Sequence, residues 1–358
     1  MARSDPKPRL WRPKQVLVTR SAREWKHGCE IAERAAALGV PVVELASDRL
    51  QLGLPDDERQ AYALAKQTLA VAVAPPSKLK LQPIAPSADW RVDLAEGCPA
   101  HCSYCYLAGS LKGPPITRAY ANLPEILAVL PAYLGQGKVT SRSRARAHEG
   151  TTFEASCYTD PLGIEHLTGS LSAAIRHFGA WEAPVQLRLT TKFADVAPLL
   201  DLPHNGRTRL RFSVNAANAA RYEGGTARLD ERLAALGAVA RAGYPVGLTI
   251  APIMPVPDWH QGYAGLIAAA AAALDGVTDL DLTVELITHR FTPTSKQILE
   301  GWYPGSDLPM REDERSRKLT KFGSVKYVYP RDLMQEMRSS ITALVAERLP
   351  AARILYWT

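Results

Sequence analysis

The sequence has no apolar run long enough to cross a bilayer: its most apolar stretch, residues 266–274, is mostly alanine and reads as a buried helix. Cysteine is scarce, with five in 358 residues. Cys98, Cys102 and Cys105 are crowded together, while Cys29 and Cys157 stand far from them and from each other. That excludes a disulfide framework and points to a reducing cytoplasm. No apolar run follows the basic N-terminal residues 1–9, so no signal peptide is expected. No internal repeat is present, and no second CxxC pair accompanies the crowded cysteines. What remains is ordinary for a globular chain, with 46% hydrophobic and 22% charged residues. The length suits one large domain or two modest ones. A formal net charge of +7 favours polyanionic partners through counterion release, without by itself requiring a nucleic acid.

The pattern of elements predicts α/β organisation in two parts. Residues 1–88 read as a small α/β N-terminal domain and linker: a strand at 15–19, an amphipathic helix at 23–38, a strand at 42–45, and further helix and strand signal at 61–72. Pro75, Pro76, Pro83 and Pro86 mark residues 74–87 as the linker. Cys29 falls in the first helix, where a lone cysteine is usually a small buried apolar residue. Residues 89–358 alternate strand and helix, with strands at 90–94, 152–157, 185–190, 209–214, 246–252 and 282–287. Helices are expected at 122–134, 164–178, 227–242 and 259–274. Six such units imply a parallel sheet, either a partial (β/α)6 barrel of the TIM type or an open doubly wound sheet, and the partial barrel is favoured. Either way, reactive residues belong just past the carboxyl ends of the strands. Beyond residue 290 the chain reads as irregular, with a basic run at 315–326, a helix at 333–348 and an apolar end at 353–357. Residues 138–146 form a low-complexity basic loop.

The most informative feature is the spacing CxxxCxxC of Cys98, Cys102 and Cys105. Three thiolates on one short loop can hold three irons of a 4Fe–4S cubane and leave the fourth open to a small molecule. The alternative is a zinc site completed by His101 or a distant histidine, although zinc sites more often use paired CxxC units. The loop resembles that of the radical S-adenosylmethionine enzymes. Cys157, at the end of the second strand, is either a buried structural thiol or a hydrogen-atom donor to a carbon radical, since its S–H bond is weak. Tyr104 and Tyr106 bracket Cys105. They either pack around the cluster or relay a radical through their weak phenolic O–H bonds.

Two segments together carry a more specific resemblance. Gly97-Cys-Pro-Ala-His-Cys-Ser-Tyr-Cys-Tyr-Leu107 is similar to the cluster loop of the spore photoproduct lyases. Phe153-Glu-Ala-Ser-Cys-Tyr-Thr-Asp-Pro-Leu-Gly-Ile-Glu-His-Leu-Thr168 is similar to the segment carrying that family's catalytic cysteine. Collinear similarity continues at residues 204–215, 225–233, 247–253, 285–292 and 326–329, and so spans essentially the whole chain.

The resemblance implies a DNA repair lyase that reverses the UV-induced spore photoproduct, 5-thyminyl-5,6-dihydrothymine, to two thymines. It implies a 4Fe–4S cluster on Cys98, Cys102 and Cys105 and S-adenosylmethionine on the open iron. A 5′-deoxyadenosyl radical then starts the reaction at carbon 6 of the dimer. Cys157 quenches the resulting thymine-based radical, and Tyr104 and Tyr106 return the radical so that the cofactor is regenerated. Carried across by position, the cofactor's amino-acid end meets Thr159, Lys192 and Ser213, and its adenosine meets Ala251. Thr159 stands where the family commonly has serine, and keeps the hydroxyl. A hairpin holding Lys321, Phe322 and Lys326 corresponds to the family's DNA wedge, with Phe322 where tyrosine is usual; taken alone, the same run reads as a solvated loop. The implied partners are UV-damaged double-stranded DNA and an electron donor such as flavodoxin or ferredoxin. No membrane is expected, and the chain is expected to be a cytoplasmic monomer. The alternatives are a radical S-adenosylmethionine enzyme of the same build with another substrate, and a non-catalytic metal-stabilised DNA-binding protein.

Overall fold

The computed structural model describes residues 10–110, 115–155, 157–319 and 323–358. The chain begins with β1 (Gln15–Val18), β2 (Val42–Glu44) and β3 (Thr68–Ala72). It continues through β4 (Gln82–Ile84), β5 (Ala88–Val92), β6 (Ala95–Glu96), β7 (His101–Cys102) and β8 (Thr117–Tyr120). Next come β9 (Thr151–Ala155), β10 (Val185–Thr191), β11 (Thr208–Val214), β12 (Glu223–Gly224), β13 (Val246–Ile253) and β14 (Leu282–Thr288). The chain closes with β15 (Ser316–Leu319), β16 (Val325–Val328) and β17 (Ala352–Trp357).

The larger sheet has the order β17-β14-β13-β11-β10-β9-β5-β4. Every neighbouring pair from β5 to β17 is parallel, and β4 adds an antiparallel edge. All six strands expected from the sequence are present. The C-terminal residues, read only as an apolar end, supply a seventh parallel strand. Residues 122–134 are not one helix but a short α-helix, Leu123–Ala128, followed by a 3-10 turn, Leu130–Tyr133. Pro131 cannot donate within a continuing helix. The stretch after residue 290, read as irregular, contains an α-helix at Pro293–Trp302, started by a Thr292 cap that accepts from the Ser295 amide.

Period-2 alternation sends two different rows out of this sheet. Leu187, Leu189, Leu210, Phe212, Leu248, Ile250, Val284 and Leu286 join the main apolar core beneath the helices. The opposite row is charged yet buried. Arg211 on β11 bonds Glu154 on β9 and Glu285 on β14, and Arg188 on β10 reaches Glu149 at 3.0 Å and Glu285 at 2.8 Å. On a flat sheet β10 and β14 would be about 14 Å apart, too far for that last contact. The sheet therefore curls into a half-barrel whose lumen is filled by ion pairs. Gly247 makes room there: a Cβ at this position would lie 2.6 Å from Arg211 Cγ. Removing Arg211 would leave buried Glu154 without a cation and Glu285 with Arg188 alone. Arg211→Ala is expected to cost about 3–5 kcal/mol in urea unfolding, and Arg211→Ala with Glu154→Gln less than the sum of the two single changes.

The second sheet, β2-β1-β3-β8-β6, is not confined to residues 1–88, because β6 and β8 complete it from beyond that point. Cys29 is half-buried on its helix and donates to the Arg23 carbonyl at 3.2 Å. The basic loop is tied down: Arg146 is buried against Glu149 and the carbonyls of Pro86 and Ser87, and Asp89 accepts from Val139 and Thr140. Arg142 and Arg144 remain exposed.

Candidate active site

β5 and β6 deliver the chain to the cysteine loop at the carboxyl rim of the half-barrel. Gly97 opens the loop at φ +72°, and a Cβ there would fall 1.9 Å from the Ile116 carbonyl oxygen, so only glycine fits. The loop is held by β7 pairing antiparallel with β12, Cys102 opposite Glu223, and by the Ser103 amide donating to the Tyr222 carbonyl at 2.9 Å. Cys102 is buried, and Cys98 and Cys105 are half-buried. Burial pushes the Cys98 thiol up to about 12 against the opposing pull of Lys66, and burial also raises Cys102 and Cys105. Such thiols ionise readily only against a bound cation.

Among the described residues, no three His, Cys, Asp or Glu side chains converge as a single metal ion would require. A zinc ion needs its donors about 2.0–2.3 Å from one point, whereas a cubane spreads three thiolates over three irons. His101, the proposed zinc ligand, instead places Nδ1 3.4 Å from the Tyr62 hydroxyl. Burial and Lys66 lower its pKa to about 4. The donor set suits the cluster.

The residues expected at the cofactor lie together. Lys192 follows β10, Ser213 ends β11 and Ala251 lies near the end of β13. Lys192 Nζ at 3.4 Å and Ser213 Oγ at 3.5 Å both face the Ala251 carbonyl oxygen. Thr159 is tied to the same rim by its neighbour Asp160, which accepts from the Lys192 amide at 2.6 Å and from Thr191 Oγ1 at 2.8 Å. The buried Thr159 Oγ1 itself has no hydrogen-bond partner. A buried orphan hydroxyl at the rim that also holds Lys192 and Ser213 fits a polar, amino-acid-like ligand end.

Cys157 lies two residues past β9, half-buried. Burial, then the carboxylates of Glu154 and Asp93, hold its pKa well above that of an ordinary thiol. Tyr106 is 65% exposed and its hydroxyl donates to the Cys157 carbonyl. Tyr104 turns the other way and donates to Glu223. Glu223 also accepts from Lys192 at 2.7 Å and pairs with Arg232, whose other nitrogen donates to the Ser213 carbonyl at 2.6 Å. Burial disfavours the Glu223 anion, but Lys192 and Arg232 outweigh it and bring its pKa to about 2. Sequence reasoning missed this hub, although Glu223 directly precedes the Gly-Gly-Thr turn at 224–226. It also missed Lys66, which leaves no local mark.

At the far edge of the site, β15 and β16 form an antiparallel hairpin anchored by Phe291 stacking on Tyr327, ring centroids 5.3 Å apart. Lys326 stands directly opposite Lys318. Lys321 and Phe322 lie outside the described residues.

A parallel half-barrel with CxxxCxxC on the loop after its first parallel strand, and polar side chains gathered at the same rim, has the build of a radical S-adenosylmethionine protein. The family model "Spore photoproduct lyase" matches residues 11–358, and the chain belongs to that family. Curated spore photoproduct lyases are similar along nearly their full length. One from a Geobacillus species is 39% identical over 97% of this chain and 98% of its own. The Bacillus subtilis protein is 38% identical with the same coverage, and that of Clostridium acetobutylicum 31% over 91% of this chain and 93% of its own. Among solved structures, a spore photoproduct lyase variant with bound AdoMet and dinucleoside spore photoproduct superposes with TM-score 0.89. It is 38% identical and covers 98% of this chain and 100% of its own. A spore photoproduct lyase complexed with dinucleoside spore photoproduct matches equally well, again at TM-score 0.89.

Proposed function

We infer that this chain repairs DNA by reversing the UV-induced spore photoproduct to two thymines. The observation that carries the reading is a half-buried thiol, Cys157, set at the same rim as the cysteine loop and the Lys192–Ser213–Ala251 cluster. When bound, the 4Fe–4S cluster and S-adenosylmethionine supply the adenosyl radical that takes a hydrogen atom from the dimer.

The chain's own residues do the rest. Cys98, Cys102 and Cys105 ligate three irons. Lys192 offers a cation to the cofactor carboxylate, Thr159 and Ser213 offer hydroxyls, and Ala251 offers its backbone. Once the methylene bridge between the thymines has broken, Cys157 gives its S–H hydrogen atom to the carbon radical and becomes a thiyl. We assign the return path to two tyrosines: Tyr106 would give a hydrogen atom to the thiyl, Tyr104 one to Tyr106, and Tyr104 would recover its own from 5′-deoxyadenosine. The Tyr106 hydroxyl meets the Cys157 carbonyl and the Tyr104 hydroxyl meets Glu223.

We assign the rim strands as a (β/α)6 unit extended by β17, and treat residues 1–88 and 89–358 as its supporting and catalytic parts. UV-damaged double-stranded DNA is placed along the β15–β16 hairpin. Lys318 and Lys326, like charges facing each other on an exposed ribbon, destabilise it unless a polyanion lies across them. Lys321 and Phe322 are assigned to the DNA wedge, with the damaged step costing less to extrude than an intact one. A flavodoxin or ferredoxin is the proposed electron donor, and a cytoplasmic monomer the proposed state. No helix among the described residues is long and apolar enough to cross a membrane.

The test is anaerobic reconstitution with iron and sulfide, reduction, and addition of S-adenosylmethionine with an oligonucleotide carrying one spore photoproduct. Recovered TpT that depends on both reductant and cofactor is the expected result. Accumulation of 5′-deoxyadenosine with the lesion intact would leave radical chemistry but remove this substrate.

A further inference from the structure

Lys66 ends the helix Glu58–Lys66 of the smaller unit and is 5% exposed. Its ammonium donates to the Cys98 carbonyl, and among the described residues it forms no ion pair with a carboxylate. The contrast with Lys192 is direct, since that lysine's charge is balanced by Glu223 at 2.7 Å. Lys66 lines a small enclosed space with Tyr62, Cys98, Cys105, Trp302 and Tyr303. Tyr62, which lines the space, stacks on Trp302 at 4.7 Å between ring centroids and bonds Tyr303.

A buried ammonium without a counter-ion costs several kcal/mol and persists only where something repays it. A carbonyl dipole is a partial answer. The missing negative charge is the one the cysteine loop gains when loaded: three thiolates on a cubane leave one net negative charge when oxidised and two when reduced. We propose that Lys66 is the fixed counter-charge of the bound cluster, placed by the smaller unit to favour one-electron reduction from a low-potential donor. This rests on the cluster reading of the cysteine loop. The balance is one electron in, from a flavodoxin- or ferredoxin-class donor, with no proton needed because the cation is already in place.

The experiment compares Lys66→Gln, which keeps a donor but not the charge, with Lys66→Arg, which keeps the charge. Each protein is reconstituted anaerobically, its iron and sulfide are counted, and its midpoint potential is titrated with dithionite and mediators, followed by EPR. Lys66→Gln is expected to shift the reduction equilibrium at least about tenfold toward the oxidised cluster, 59 mV for one electron, or to fail to retain the cluster. Lys66→Arg should retain the cluster within about threefold of the parent equilibrium, ~30 mV. In the cluster-free proteins the sign reverses: Lys66→Gln should melt no lower than the parent, because it removes an uncompensated charge. A fully loaded Lys66→Gln with the parental midpoint overturns the inference. So does an arginine variant that behaves like the glutamine one. A parent protein that takes up no cluster would overturn the cluster reading instead.

Discussion

Cys157→Ala is expected to leave cofactor cleavage running while clean repair falls by about two orders of magnitude, equivalent to about 2.7 kcal/mol in barrier. The thiol stands two residues past β9, and the other four cysteines are Cys29 and the three of the cysteine loop. With alanine there, the thymine-based radical formed after fragmentation has no S–H to meet. It is quenched by solvent-borne species into abortive adducts, and S-adenosylmethionine is consumed rather than regenerated. Chromatography of products together with counted 5′-deoxyadenosine checks both halves at once. Clean repair at the parental rate would remove Cys157 from the mechanism. The pH behaviour of the parent follows from the same environment. Burial, Glu154 and Asp93 all raise the thiol's pKa above its ordinary value of 9.0, so the S–H form persists as pH rises through that value. The ratio of TpT to adducts should therefore be flat from pH 7 to 9, whereas a normally titrating cysteine would lose its proton, and with it the S–H bond it donates from, over the upper part of that window.

The second large effect belongs to Cys102. It is the buried member of the three and the one paired in a β-bridge with Glu223. Cys102→Ala leaves two thiolates, too few to hold a cubane with one open iron, so the brown colour, the reduced EPR signal and all S-adenosylmethionine cleavage should be lost together. The backbone pairing with Glu223 survives, since alanine has the same amide and carbonyl. Unfolding of the cluster-free variant should then lie within about 1 kcal/mol of the cluster-free parent. An intact 4Fe–4S spectrum would show that the loop is not the ligand set.

Much of the site was legible because parallel strands point one way. Once Cys98–Cys105, Cys157, Lys192, Ser213 and Ala251 fall at strand ends in the sequence, the sheet must gather them at one rim. Cluster spacing is local and survives any tertiary detail. What escaped was non-local. Lys66 is 32 residues from the Cys98 carbonyl it meets, on a helix whose pattern says only that it is amphipathic. Glu223 acquires its role from Tyr104, Lys192 and Arg232, which reach it from three separate elements. The strand at Ala352–Trp357 lacked a following helix to mark it as a βα unit. The charged rows of β10 and β11 look like solvent faces in sequence, yet they fill the lumen because arginines and glutamates from strands several places apart neutralise one another.

The path of the chain between β5 and β9 carries one more consequence. After β5 it leaves the large sheet, lays β6 on the edge of the small one, runs through the cysteine loop and returns by β8 into the small sheet before joining β9. The cysteine loop is thus a span whose two abutments both stand in the smaller sheet, while its cysteines pack against the main core. Any loosening of the small sheet slackens the span from both ends at once. The enzyme therefore cannot be trimmed to its barrel: the part that looks peripheral in sequence is the frame on which the reactive loop is stretched.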